Sequence, residues 1–159
     1  MAIQTKITDN SKEIAKKYSS FQKFLPKIID RGIMQGGAQL LDIIKTKTQK
    51  GKDINNNPFA PYSSSYRRQL ELEGKPTSVD LFNTGRMLGS LTPGSAIKKT
   101  GFHKITLGFA RSRERDKAFF NQVLGNPKRV FFGFNNATSV VITKQFSKYV
   151  ESEIKKFKI

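Results

Sequence analysis

Carboxylates are the side chains in this sequence best suited to chemistry, and Asp53, Glu71, Glu73 and Asp80 lie close together along it. Metal-assisted phosphodiester hydrolysis would need several of them to converge on one ion, and their spacing does not force them together. A small nuclease is therefore not the expected reading. Asp53-Ile54-Asn55-Asn56-Asn57 sets side-chain oxygens at positions one, three and five of a calcium loop. Position six, which needs glycine, is Pro58, and position twelve, which needs a bidentate acid, is Ser64, so a hydrogen-bonded turn is the expected form. His103 is the single histidine. No acidic residue lies near it in sequence to orient it as a base, and beside Phe102 it reads as an exposed turn residue. The absence of cysteine removes disulfides, thiolate nucleophiles and cysteine zinc sites, and one imidazole cannot build a two-histidine centre. No Gly-x-x-x-x-Gly-Lys-Ser/Thr loop is present, since Gly36-Gly37 falls inside a helical pattern. Asn136-Ala137-Thr138 fits the glycosylation pattern but stands in a chain with no secretory start. No catalytic residue, metal or cofactor is predicted, and binding is the expected work.

Charge is the stronger signal. Lys and Arg number 29 against 12 Asp and Glu, a formal net charge of +17, and such self-repulsion is usually tolerated where a polyanion or acidic partner neutralises it. From Leu81 to Arg113 there is no acid at all, while Arg86, Lys98, Lys99, Lys104, Arg111 and Arg113 all occur there. These six are the DNA-facing candidates, able to track phosphates without reading bases; a merely solvated basic surface is the alternative. The sequence opens Met1-Ala2-Ile3-Gln4-Thr5-Lys6, without a basic start and apolar run, and no stretch approaches the roughly 20 apolar residues of a membrane span. A soluble intracellular product with no membrane partner is expected.

The elements that must position these residues follow from length and periodicity. A chain of 159 residues matches one domain of about 150 residues, so 1–159 is read as a single unit. Asp9-Asn10-Ser11 resembles a helix cap, with Ile14, Tyr18, Phe21 and Leu25 following at helical spacing; Pro26 then predicts a second helix start, running to about Gln49. Gly32, Gly36 and Gly37 make a side-chain-poor stripe beside Ile29, Ile33, Leu40, Leu41 and Ile44, which predicts close helix packing rather than a hinge or ligand contact. Gly51 is a stop signal, and 51–65 reads as a long loop anchored by Phe59 and Tyr62. Ser63 to Ser65 cap a short helix through Tyr66, Leu70 and Leu72 to Gly74, Val79 to Phe82 reads as extended, and Thr84-Gly85 opens another short helix. Ser95 to Thr100 and Lys104 to Ala110 predict a hairpin around Gly101-Phe102-His103, and Arg129 to Phe134 a third strand. Asp116 to Leu124 is a short predicted helix. A final helix from Ala137 to Lys158 carries Ile142, Phe146, Tyr149, Val150, Ile154 and Phe157 on one stripe, with Lys155, Lys156 and Lys158 at its negative end. The fold class is α+β: a small antiparallel sheet, the hairpin plus one or more strands, packed against a long N-terminal and a C-terminal helix.

Two blocks then resemble a known family. The first is Gly51-Lys52-Asp53, then Pro58-Phe59-Ala60-Pro61-Tyr62-Ser63-Ser64-Ser65-Tyr66, then Val79-Asp80-Leu81, Thr84-Gly85-Arg86-Met87-Leu88 and Ser90-Leu91. The second is Ala118-Phe119-Phe120-Asn121-Gln122, Gly125 and Pro127-Lys128-Arg129-Val130-Phe131-Phe132-Gly133. Together they resemble the phage virion morphogenesis family, the tail-completion and neck proteins of tailed bacteriophages, over roughly residues 26 to 157. Asn121 stands where that family often has His, and Ile3 to Ser20 has no counterpart, so residues 1–20 read as an N-terminal arm.

The resemblance implies a structural virion protein, assembled in the host cytoplasm and located at the head-tail junction or the upper tail end. It would be a homo-oligomer, a ring or partial ring, that completes the tail or neck for head-tail joining. Its partners would be further copies of itself and neck, tail terminator or tail tube proteins, with non-specific contact to genomic DNA in the channel. The subunit-interface candidates are Asp53, Phe59, Pro61, Tyr62, Tyr66, Leu81, Gly85, Met87, Leu88, Arg129, Phe131 and Phe132. The rival reading is a stand-alone basic nucleic-acid-binding protein.

Overall fold

The computed structural model describes residues 9–82 and 85–157. In chain order the elements are α1 (Ser11–Gln49), α2 (Ser64–Leu72), α3 (Arg86–Gly89), α4 (Pro93–Ala96), β1 (Ile97–Gly101), β2 (Lys104–Leu107), α5 (Ser112–Phe119) running into a π-helical turn (Phe120–Leu124), and α6 (Asn136–Lys155). The expected α+β arrangement of two helices around a small antiparallel sheet is what forms.

Helix α1 is a rod about 58 Å long at 1.5 Å per residue. Its start is supported by the Asp9 carboxylate, which accepts the Ser11 N–H at 2.8 Å, and by Glu13 in the first turn. Gly51, at φ 70, closes the far end, with the Lys52 N–H returning to the Lys47 carbonyl at 2.9 Å. Pro26 does not begin a second helix; α1 runs straight through it. An interior proline costs about 3 kcal/mol. Packing on the turns before it offsets that cost, because Phe21 and Phe24 meet Phe157 beyond the end of α6, at ring-centroid distances of 5.4 and 5.9 Å. Residues 11–20 of the expected arm form the first, largely exposed turns of α1, while residues 1–8 lie outside the described residues, as do Thr84 and Lys158.

The glycine stripe is a packing surface, as its spacing predicts. A methyl group added at Gly32 would stand 2.8 Å from the Phe146 ring and 3.0 Å from Tyr149, and one at Gly36 would stand 3.1 Å from Ile142. Rising along α1 thus means descending along α6, so the two helices lie antiparallel. Gly37 does the same for the hairpin, where an added methyl would meet Ile105 at 2.6 Å and Ile97 at 3.2 Å.

Strands β1 and β2 pair antiparallel, Ile97 opposite Leu107 and Lys99 opposite Ile105, with an irregularity between Lys99 and Gly101. The first strand begins at Ile97, later than expected, because Pro93 opens the single turn of α4. The predicted strand Arg129 to Phe134 does not form, nor does Val79 to Phe82 join a sheet. The backbone of the former is engaged elsewhere: the Arg129 N–H donates to the Asn121 carbonyl at 2.7 Å, and the Ile54 N–H donates to the Val130 carbonyl at 3.0 Å. The Gln122 amide then holds both backbone groups of Phe132 at 2.9 Å. Partners on separate segments leave nothing for a ladder to use.

Behind the hairpin, Leu41, Leu88, Leu91 and Phe131 are the largest fully buried apolar side chains, joined by Ile44, Phe59 and Met87 in one cluster. The hairpin tip is tied back to α1. His103 Nδ1 lies 2.8 Å from Asp30, whose other oxygen pairs with Lys99. His103 is consequently half-buried and paired, not the exposed turn residue expected from sequence, because its partner lies 73 residues away.

Two outcomes are expected. Gly32→Val forces Phe146 and Tyr149 aside and should lower stability by about 1–3 kcal/mol in urea unfolding, whereas Gly89→Ala, whose added methyl meets nothing within 4 Å, should not. Lys99 foremost, then His103, holds the Asp30 carboxyl below the usual aspartate range. Its contribution is present above the unfolded value and lost as pH falls through the depressed one. Amide exchange at the hairpin tip should therefore quicken on acidification below the ordinary aspartate range, and Asp30→Asn should remove that step.

Candidate interaction site

The two blocks that carry the family resemblance fold onto each other. Pro61, Tyr62, Tyr66 and Leu81 from the first block, with Phe120, Asn121 and Arg129 from the second, line a single open cleft of about 590 Å3, joined by Phe82. Local rules position its first wall. Ser63 caps α2 by accepting the Tyr66 N–H at 3.4 Å, which sets Tyr66 one turn beyond Tyr62; the rings meet edge to face at 5.0 Å. Asp80 accepts the Phe82 N–H at 2.9 Å, and Leu81 and Gly85 hold left-handed backbone at φ 52 and φ 67. That turn sets Phe82 beside Gly85, where an added methyl would stand 3.0 Å from the ring.

Arg129 closes the cleft. Its guanidinium donates to the Ala60 carbonyl at 3.2 Å and lies over the Tyr62 ring at 5.2 Å, while its buried Nε has no hydrogen-bond partner. A planar fork can bond a carbonyl and stack on a ring together, which an ammonium cannot do. Burial first, then the Asp80 and Tyr66 charges, push the Tyr62 phenol above its ordinary value, and Arg129 opposes them.

The interface candidates do not form one exposed surface. Phe59, Met87, Leu88 and Phe131 are buried, and their side chains hold the core rather than standing ready for a partner. Phe132 is half-buried against Phe109 at 5.1 Å. Asp53 closes its own turn, accepting the Asn55 and Asn57 N–H groups at 2.8 Å each. That leaves Pro61, Tyr62, Tyr66, Leu81 and Arg129 at the cleft, with Met87 forming its buried floor and Gly85 behind Phe82, outside the lining.

The six basic candidates likewise divide. Lys98 and Lys104 are exposed on the outer face of the hairpin, whereas Lys99 lies opposite Ile105, facing α1, and is held by Asp30. Arg86, Arg111 and Arg113 line a second cleft, between α3 and the start of α5. Sequence reasoning missed Gln122, which clasps Phe132, and Asn135, which caps α6 through the Thr138 N–H at 3.0 Å and also donates to the Ile54 carbonyl at 2.9 Å. The signal for Asn135 is present, since Asn precedes a long helical pattern.

Comparison with family models, curated proteins and solved structures finds no match. Among the described residues no helix is long and apolar enough to cross a membrane.

Replacing Arg129 with Met should loosen the Phe59–Tyr62 segment and cost about 1–2 kcal/mol in thermal unfolding, because a charge-assisted bond and a stacked cation are lost together. Without that cation the phenolate loses support, so ultraviolet titration should show Tyr62 ionising at still higher pH in Arg129→Met. In the native chain the raised phenol contributes stability that is lost as pH rises through its folded value.

Proposed function

We propose that this chain is a structural protein of a tailed phage, acting at the head-tail junction or upper tail end as a ring or partial ring that completes the tail or neck. The observation that carries the reading is the meeting of the two resembling blocks, residues 51–91 and 118–133, at one aromatic cleft closed by Arg129. A cleft of aromatics, prolines and one arginine has the composition of a protein-binding surface. Exposed apolar side chains support the same reading. Phe120 on the cleft wall and Phe119 and Leu124 in the same helical segment are each more than half exposed; elsewhere Leu72 is 83% exposed and Phe102, at the hairpin tip, 79%. Contact with further copies and with neck, terminator or tube proteins would cover such residues. The work is binding and not catalysis, and the site of action is the virion after assembly in the host cytoplasm.

The exposed Lys98 and Lys104 and the three cleft arginines favour one second reading, a stand-alone nucleic-acid-binding protein. The two part on salt. A dedicated duplex binder should lose affinity with a log-log slope of about −0.9 for each phosphate neutralised, steep if many are engaged. A ring component should bind duplex weakly as a monomer.

Disabling the gene in its virus and imaging the particles by electron microscopy tests the first reading. DNA-filled heads apart from tails, or tails of abnormal length that fail to join, are expected; normal joined virions would overturn it. Charge reversal at Lys98 and Lys104 should reduce infectivity if the hairpin faces DNA in the channel.

A further inference from the structure

The second cleft, lined by Arg86, Arg111 and Arg113 together with Gly89 and Glu114, sets a buried carboxylate among arginines. Glu114 is 6% exposed, and its Oε2 has no hydrogen-bond partner. A buried carboxylate oxygen without a donor is costly, and a donor brought into the cleft beside it would offset that cost. The three arginines are exposed, and among the described residues none of them forms an ion pair. Helix α5 opens into the same space with no side-chain hydrogen bond at its N-cap; Glu114 in its first turn already sets one carboxylate near the positive end of the dipole, and the N-terminal backbone N–H groups favour a further anion. Gly89 leaves bare backbone on the wall, since a methyl group there would meet nothing within 4 Å.

A ligand that brings an anion and a hydrogen-bond donor together would answer both features. A sulfate has no donor, and a simple phosphodiester has none either. The cleft, about 850 Å3, is also larger than a lone inorganic anion needs and falls within the usual range for small-molecule sites. A nucleotide carries both groups. We infer that this cleft binds one unpaired nucleotide, its phosphate at the α5 N-terminus among Arg86, Arg111 and Arg113 and the donor edge of its base toward Glu114. Guanine fits best, because N1–H and the 2-amino group present two parallel donors to a carboxylate. Cytosine and adenine offer one amino group, and thymine only an imide N–H between two carbonyls that a carboxylate repels. That edge is occupied in a duplex, so the source is an unpaired strand or a free nucleotide. The inference does not rest on the phage reading and is tested on the purified chain.

Calorimetric titration with dGMP and dTMP, and with 5′-phosphorylated trinucleotides having dG or dT at the centre, separates the possibilities. Binding of dG ligands at least tenfold tighter than dT ligands is expected. Glu114→Gln should bring that ratio to within about twofold, and Arg111→Ala with Arg113→Ala should weaken both ligands. Gly89→Leu projects into open space and leaves Glu114 in place; it should block binding while the melting temperature shows the fold intact. A dG trinucleotide binding tenfold tighter than dGMP marks an unpaired strand as the source, and equal binding marks a free nucleotide. No binding of any dG ligand at millimolar concentration, or equal affinity for dG and dT in the native chain, overturns the inference.

Discussion

The structure depends on how closely α1 can be approached. Gly32 and Gly36 admit the rings and branched side chains of α6, and one residue further on Gly37 admits Ile97, Ile105 and Leu107 of the hairpin. Dispersion falls off within an ångström of contact, so a gap the width of a methyl group along this face would cost both partners at once. Because the glycines fall on adjacent lines of one helix, α6 and the hairpin are gathered side by side rather than on opposite sides of the rod. The remaining loops are folded over the surface that this arrangement leaves, with Leu41, Leu88, Leu91 and Phe131 filling the space between.

Much of this was legible in the sequence because its causes are local or periodic. The stripe from Ile142 to Phe157, the glycine face of α1, the serine cap on α2 and the alternation in β2 each need only a few neighbouring residues to be read. What was not legible depends on partners far away in the chain. Pro26 is a breaker by every local rule, and Phe157 at the opposite end holds the turns before it. Arg129 to Phe134 has the composition of a strand, and hydrogen bonds from Ile54 and Gln122 claim its backbone. His103 finds its acid only when the hairpin lies down on α1.

The interaction residues divide by the same logic. A recurring residue type in a sequence block does not distinguish a side chain that shapes the core from one that meets a partner, and half of the first block's aromatic and apolar positions do the former. Phe59, Met87 and Leu88 fix the shape of the cleft from behind, while Tyr62, Tyr66 and Arg129 form what is exposed in front. The basic residues separate in a similar way: one acid-free stretch becomes a hairpin face, an ion pair with α1 and an arginine-lined cleft. Glu114 lies one residue beyond that stretch, and charge counting along the sequence gives no reason to connect it with the arginines around it.

The Gln122 side chain bonds both backbone groups of Phe132, and the Arg129 N–H returns to the Asn121 carbonyl, so the chain between them is cinched at its neck. A segment sealed in this way is insulated from its own length. Residues gained or lost near its tip, around Asn126 and Lys128, would change the size of the excursion without shifting the register of Phe131 in the core or of α6 beyond it. The rim of the aromatic cleft next to Pro127 is thus a place where insertions and deletions can reshape the outline of the molecule while the scaffold stays as it is.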